Sequence, residues 1–460
     1  MGFPALFQAL RRHAVPASLF LLSFALHLLP FLLFGPHPLG YDTGFYRRYL
    51  IAPFVSFPNP PVPGLGDDAF VTRILLDLVR LSGLPTDIVL YGTYIALWAA
   101  LPVLAYFFLA PFLGKRWAAL AGICALLSPV AYNTYWYFLF KNALGLDLLL
   151  LGFIFIERRL FIPLLFIDLV LPLAHKTSAV MYLLTLGAIV IAWKGRRAEA
   201  LMHGAIAGIV FTLINLPTIH EVSVVLPTAI FMTWDTYVPM SVAYIILCLA
   251  GWKGFRKRTV PMTLIVFSVA SFAYVALRLP FYERIFVFAD VALALLAAWG
   301  AAELVSAVRW RELGVRTVFS VMALAIAGGL LFGTLVNQIH TLVPLISPAA
   351  VARIQEAGIS VPENATLLTT ADEAPWYEGF TRAHIAAPGL LHDVPGNTLD
   401  RWIAFWDATS TDTRIAFLAE FPQPLYVSTL EGIQNLVGAP PPCLTKIGAD
   451  LWYDACASSR

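Results

Sequence analysis

Charge is what this chain has least of. Only 13% of its 460 residues are Asp, Glu, Lys or Arg, against 59% hydrophobic, and mean hydropathy is +0.77. That scarcity excludes an ordinary soluble domain, which needs about a quarter of its residues charged. The near-neutral total of +2 gives no basic field, so no nucleic-acid partner is implied. Cysteine is scarce as well. Cys124 and Cys248 lie in apolar runs as packing residues, whereas Cys443 and Cys456 lie in a polar tail where a disulfide is plausible if the tail is outside the cell. There is no fixed-period repeat and no low-complexity tract.

What is abundant is long apolar runs. They recur throughout the chain and are long enough for a hydrocarbon core of about 30 Å, so an α-helical polytopic membrane protein is expected rather than a barrel. The first, Val15 to Phe34, follows Arg11 and Arg12 and ends in Phe-Gly-Pro-His-Pro without a small-residue cleavage site, as an uncleaved anchor would. Further spans are read at Ile88–Leu113, Trp117–Tyr135, Phe138–Ile156, Leu160–Ala174, Ser178–Trp193, Ala200–Leu216, Tyr237–Trp252, Val260–Leu277, Ile285–Val308 and Thr317–Ile339, about eleven in all.

Every second junction is basic: Arg11-Arg12, Lys115-Arg116, Arg158-Arg159, Lys194 to Arg197, Lys253 to Arg258 and Arg309 to Arg316. By the positive-inside rule the N-terminus is cytoplasmic, and an odd number of spans leaves the C-terminal region extracytoplasmic. The plan is a transmembrane domain over 1–345, with a first outer loop at 36–87, and a small α/β domain over 346–460. In the first loop, Asp68 to Gly83 has polar residues at 68, 72, 73, 77 and 80, the pattern of an interfacial amphipathic helix. In the tail, Ser347 starts a helix through Glu356, and Ala365–Thr370 and Pro424–Ser428 read as strands. Trp376, Trp402 and Trp406 are available there for a core or a ligand.

A membrane enzyme at the outer face has no ATP, so its activated substrates arrive on lipid phosphates. It needs a carboxylate to deprotonate an acceptor, cations for a phosphate leaving group and aromatic walls. Asp42, in Gly40-Tyr-Asp-Thr-Gly-Phe-Tyr-Arg-Arg-Tyr49, is the candidate base; its bland alternative is a turn cap. Arg278, Arg284, His175, Lys176 and Lys141 are candidates for donor phosphate, against snorkelling or salt-bridge roles. Tyr41, Tyr46, Arg47, Asp67, Asp68, Tyr135 and Trp136 are candidates for acceptor or sugar contacts, with helix caps and an aromatic belt as alternatives. Asp147 and Asp168 sit inside spans, where pairing between helices is expected.

The chain resembles the GT-C superfamily of membrane glycosyltransferases, on the acid just after the first span, the long first outer loop with its amphipathic helix, and the Asp42-Thr-Gly-Phe-Tyr-Arg47 run, which is similar to the start of that loop in oligosaccharyltransferase catalytic subunits. Leu127-Ser-Pro-Val130, Ala174-His-Lys-Thr-Ser178 and Arg278 to Arg284 add to the likeness. The resemblance implies sugar transfer from a polyprenyl-phosphate or polyprenyl-diphosphate donor, with Asp42 as the catalytic carboxylate. Two departures set this chain apart. Ala131 to Tyr137 has no carboxylate, so no obligatory divalent metal is expected, and Pro375-Trp-Tyr-Glu-Gly379 stands in place of a Trp-Trp-Asp-Tyr-Gly signature. Rival readings are a polysaccharide polymerase or ligase, and a lipid or glycolipid transporter. Membrane lipids are expected partners in every case.

Overall fold

The computed structural model describes residues 3–456 apart from 41, 55–69, 216–231, 258, 281, 309–313, 371, 388–398, 409 and 431–439, and of 3–12, 257 and 399–402 only the backbone. Helices follow in the order α1 (Phe3–Phe34), α2 (Thr43–Ile51), α3 (Phe70–Arg80), α4 (Thr86–Leu113), α5 (Lys115–Leu126), α6 (Pro129–Trp136), α7 (Phe140–Arg158), α8 (Phe161–Ala174), α9 (Lys176–Ala192), α10 (Arg197–Asn215), α11 (Trp234–Ala250), α12 (Lys253–Lys257), α13 (Met262–Ala276), α14 (Tyr282–Ala307) and α15 (Val315–Thr341). The C-terminal region continues with α16 (Pro348–Ser360), β1 (Thr366–Leu368), α17 (Ala374–Glu378), β2 (His384–Ala386), α18 (Leu399–Asp407), α19 (Thr411–Leu418), β3 (Leu425–Ser428), β4 (Leu444–Lys446) and β5 (Leu451–Asp454). Two compact units result. One comprises residues 1–30 and 94–343, the other 31–93 and 344–460.

The first unit is a helical bundle. Among the described residues, five segments are long and apolar enough to cross a membrane: His13–Phe34, Thr86–Leu113, Lys194–Asn215, Tyr282–Ala307 and Val315–Thr341. The bent pair α5 and α6 makes six if counted as one span. Shorter apolar helices are α8, α9, α11 and α13, and α7 carries four charges in 19 residues. The chain is an integral membrane protein. At its centre α14 packs against α5, α11, α13 and α15, with 94% of its apolar window buried. A helix apolar on every side has no solvent face to offer, so it takes the middle.

The span read over Trp117–Tyr135 is broken, bending by 45° between α5 and α6. Ser128 ends one helix and caps the next, its Oγ accepting from the Ala131 amide at 2.8 Å with Pro129 at the first helical position. The same hydroxyl donates to Asp290 Oδ2 on α14 at 2.5 Å, and Ser241 on α11 donates to Oδ1 at 2.8 Å. Three helices and the break are thus tied to one buried carboxyl. Asp168 on α8 does the same elsewhere, bonded to His203 of α10 at 2.5 Å and Tyr182 of α9 at 2.8 Å. Asp147 is buried in α7, and its Oδ1 has no hydrogen-bond partner among the described residues.

The second unit contains a five-stranded sheet of order β2-β1-β3-β5-β4. β1 runs parallel to β2 and β3, with Leu367 opposite Ile385 and Tyr426, while β5 is antiparallel to β3 and β4. One core lies under α16 and α17 and includes Ile354, Leu367, Trp376 and Tyr377; another gathers Phe405, Phe417, Leu425 and Val427, with Trp406 against it. Ser347 caps α16 through the Ala350 amide at 3.1 Å. Cys443 and Cys456 are joined in a disulfide, Sγ–Sγ 1.98 Å.

The first-loop helix α3 has its polar stripe inward. Thr72, Arg73 and Asp77 are buried, whereas Leu78 and Leu81 are 60% and 70% exposed. The reason is the segment just after α2, whose carbonyls need donors. Arg80 donates to Ala52 O at 2.8 Å and Arg73 to Pro53 O at 2.9 Å.

Candidate functional site

In the second unit, α2 carries the Asp42 motif. Asp42 is the N-cap residue by position, half-buried, yet its carboxylate makes no capping bond to the helix. Thr43 supplies local order in its place, donating to Gly40 O at 2.8 Å and reaching Leu39 O at 3.3 Å. The helix itself is held hard. A Cβ at Gly44 would lie 1.6 Å from Pro375 O, so glycine is what lets α2 touch the backbone of α17. Arg47 donates from Nε to Asp87 Oδ1 at 2.8 Å and from Nη1 to Gly379 O, with its guanidinium 4.3 Å above the Phe380 ring. Arg48 donates to the carbonyls of Thr381 and Arg382, the latter at 3.0 Å, and faces Glu378 at 3.8 Å.

These bonds place Arg47 between three segments of the unit, where its donors serve to position α2. Tyr46 is buried beside Tyr49. His37 shares a 2.7 Å hydrogen bond with Tyr91 and sets its ring edge-on to Phe380. Burial lowers the His37 pKa, with Asp87 opposing the shift and Arg47 adding to it, so a neutral imidazole is favoured. Glu378 goes the other way: burial raises its carboxyl to about 8, and nearby Arg48 offsets only part of that. Tyr41, Asp67 and Asp68 lie outside the described residues.

The first unit holds the cationic candidates. Arg284 is half-buried in the first turn of α14, and lines a small cavity of about 20 Å³ with Asn133 and Thr134 of α6, Tyr137, Asn142 of α7 and Glu283. Such a volume admits about one water. Asn133 and Asn142 were not singled out in the sequence, because an amide between Tyr residues or after a lysine carries no pattern of its own; only the α6–α7 turn brings them to Arg284. Lys141 is half-buried one residue earlier on α7. Arg278 is exposed at the end of α13 with a left-handed backbone, φ 50°.

His175 is buried and caps α9: its Nδ1 accepts from the Ser178 amide at 3.3 Å and lies 2.8 Å from Ser178 Oγ. Gly145 of α7 makes room, since a Cβ there would fall 2.2 Å from that hydroxyl. Lys176 follows, half-buried, as the first residue of α9. Tyr135 and Trp136 are in the core of the bundle, 0% and 2% exposed. The Tyr135 hydroxyl donates to His27 O and its ring stacks on Tyr94, because the bend after Ser128 turns α6 inward. Among the described residues, the one trio of metal-type ligands close together is Cys443, Asp454 and Cys456, and its two sulfurs are bonded to each other.

This fold, a bundle of apolar helices with a mixed α/β C-terminal region, is similar over nearly the whole chain to known structures. ArnT from Cupriavidus metallidurans bound to undecaprenyl phosphate matches with TM-score 0.58 at 14% identity, covering 96% of this chain and 97% of that one. The Archaeoglobus fulgidus oligosaccharyltransferase, tethered to an acceptor peptide with the NVT sequon, matches with TM-score 0.59 at 12% identity over 92% of this chain and 69% of its own. The mycobacterial arabinofuranosyltransferase AftD gives TM-score 0.57 at 16% identity; 95% of this chain corresponds to 37% of AftD. No protein-family model and no curated protein sequence matches the chain.

Proposed function

We propose that this protein is an inverting GT-C glycosyltransferase that takes a sugar from a polyprenyl-phosphate donor and transfers it to an acceptor hydroxyl at the outer membrane face, in cell-envelope glycan, glycolipid or protein glycosylation. The observation that carries the reading is the end-to-end likeness to ArnT bound to undecaprenyl phosphate, 96% of one chain on 97% of the other. In the reaction, the acceptor oxygen attacks the anomeric carbon from the face opposite the phosphate. Its proton passes to Asp42, and the anomeric C–O bond breaks with its electron pair leaving on the phosphate. Arg284 is the main cation for that developing charge, supported by Arg278, His175, Lys176 and Lys141. Tyr46 and the Asp67-Asp68 pair are assigned to the acceptor side. Solitary Asp42 acts as a base without an obligatory metal.

The orientation that fits this chemistry has the N-terminus in the cytoplasm and residues 346–460 outside, as the basic junctions indicate. Asp42→Asn tests the assignment. Transfer from a polyprenyl-phosphate sugar in reconstituted membranes should fall to background while expression and thermal stability hold; near-normal turnover refutes Asp42 as base.

A further inference from the structure

The bundle contains a second cavity, of about 630 Å³, bounded by the α12 turn, the start of α13 and α14. Phe255, Arg256, Thr259, Ile265, Ser268 and Val269 line it. It has two unlike ends. Ile265 and Val269 are 41% and 63% exposed on an apolar helix, so that wall opens sideways onto hydrocarbon. The other end is basic, with Arg256 in the wall and Lys253 one turn earlier.

The basic end is built rather than loose. A Cβ at Gly251 would fall 2.2 Å from Gly300 O, and one at Gly254 would fall 2.6 Å from Trp299 O. Both glycines therefore let the turn rest on the backbone of α14, which fixes where Lys253 and Arg256 emerge. Trp252 is 45% exposed and lies 4.3 Å beneath the Arg256 guanidinium, an aromatic suited to the membrane–water boundary. The neighbouring carboxylates have other partners. Glu303 bonds Arg316 at 2.8 Å, and Glu157 accepts from Thr263 Oγ1 at 2.7 Å. Among the described residues, Lys253 and Arg256 form no ion pair.

Topology alone would need positive charge at this junction but neither a cavity nor a pinned turn. An apolar slot open to lipid, with the exposed cations Lys253 and Arg256 held at one end, is complementary to an amphiphile with an anionic head. We propose that this slot binds an anionic glycerophospholipid from the surrounding bilayer, its phosphate at Lys253 and Arg256 and an acyl chain along Ile265 and Val269. The inference is independent of the glycosyltransferase reading, because neither Asp42 nor Arg284 takes part.

The test is native mass spectrometry of the full chain, exchanged from nanodiscs of phosphatidylcholine and phosphatidylglycerol into detergent. Phosphatidylglycerol adducts that survive exchange should fall about 25-fold in the K253Q/R256Q pair, about fivefold being expected per cation removed near a membrane surface. The K115Q/R116Q pair, which removes the same charge from another basic junction, should leave them unchanged. Val269→Trp, placed on the lipid-exposed wall so that folding is spared, should displace the lipid without altering charge. Equal losses from both charge pairs, or no loss from Val269→Trp, overturn the proposal. Retention of a polyprenyl phosphate instead of phosphatidylglycerol, sensitive to the same substitutions, overturns the assignment to phospholipid.

Discussion

Arg48 of α2 and Glu378 of α17 face each other at 3.8 Å inside the second unit, 3% and 2% exposed, from segments that lie before and after the helical bundle in sequence. Burial disfavours both charges: the Arg48 pKa is lowered and that of Glu378 is raised to about 8. A carboxyl whose folded pKa lies above its unfolded value near 4.5 gives stability that is complete below about pH 4.5 and is lost as pH rises through about 8. Glu378→Gln keeps the shape without the ionisation. Its melting temperature should match the parent near pH 5 and exceed it increasingly towards pH 8, by several degrees for a gain of a few kcal/mol. A difference independent of pH would show that Glu378 is ionised throughout.

Gly44 makes the closest approach of that same contact, its virtual Cβ 1.6 Å from Pro375 O. The obstacle is backbone, which cannot rotate away. Gly44→Ala should destabilise the second unit by about 3 kcal/mol and abolish activity by displacing α2. Gly92→Ala is the control, since nothing lies within 4 Å of its Cβ and alanine favours the helix. Thermal unfolding of the two variants side by side decides the matter.

The membrane class was legible in the sequence because it depends on a local quantity, the length of apolar runs, whereas the fold shared with known structures was reached through a resemblance carried by the Asp42 motif. Pairwise geometry was not legible. Nothing in Thr43 to Tyr49 announces that Arg47 and Arg48 bond to Gly379 and Thr381, because a contact across 300 residues leaves no periodic trace in a single chain. The α3 stripe was visible as a stripe, but amphipathicity gives two faces without saying which is covered. The carbonyls of Ala52 and Pro53 decide that, and they draw the arginines inward. Tyr135 and Trp136 illustrate a different limit. Aromatics at a span end read as an interfacial belt until Ser128 and Pro129 bend the helix into the core.

The outward apolar face of α3 predicts a lipid contact. Leu78 and Leu81, with Leu84 and Ile88 beyond, are half or more exposed, an apolar strip that water would disfavour. A polarity-sensitive fluorophore on Leu81→Cys should emit blue-shifted in nanodiscs and red-shift in a short-chain detergent of high exchange rate. The same label on Ile447→Cys, exposed in the loop between β4 and β5, should report water in both. Water-like emission from position 81 in nanodiscs would remove α3 from the membrane surface.

Arg284 and Arg278, both proposed to contact the donor phosphate, flank one short turn but differ in setting. Arg284 is half-buried with Asn133, Thr134 and Asn142 around its cavity, whereas Arg278 is exposed at the end of α13. A cation in a partly desolvated pocket stabilises a developing phosphate charge more strongly than one in water, where the interaction is screened. Arg284→Gln should therefore slow transfer on the order of a hundredfold, chiefly in kcat, while Arg278→Gln should act within a few fold and mainly on KM. Asn142→Ala, which leaves the charge in place, should fall between them by loosening the pocket wall. Single-turnover rates with a polyprenyl-phosphate sugar distinguish these outcomes, and equal effects at 278 and 284 would mean that burial has no part in the choice of cation.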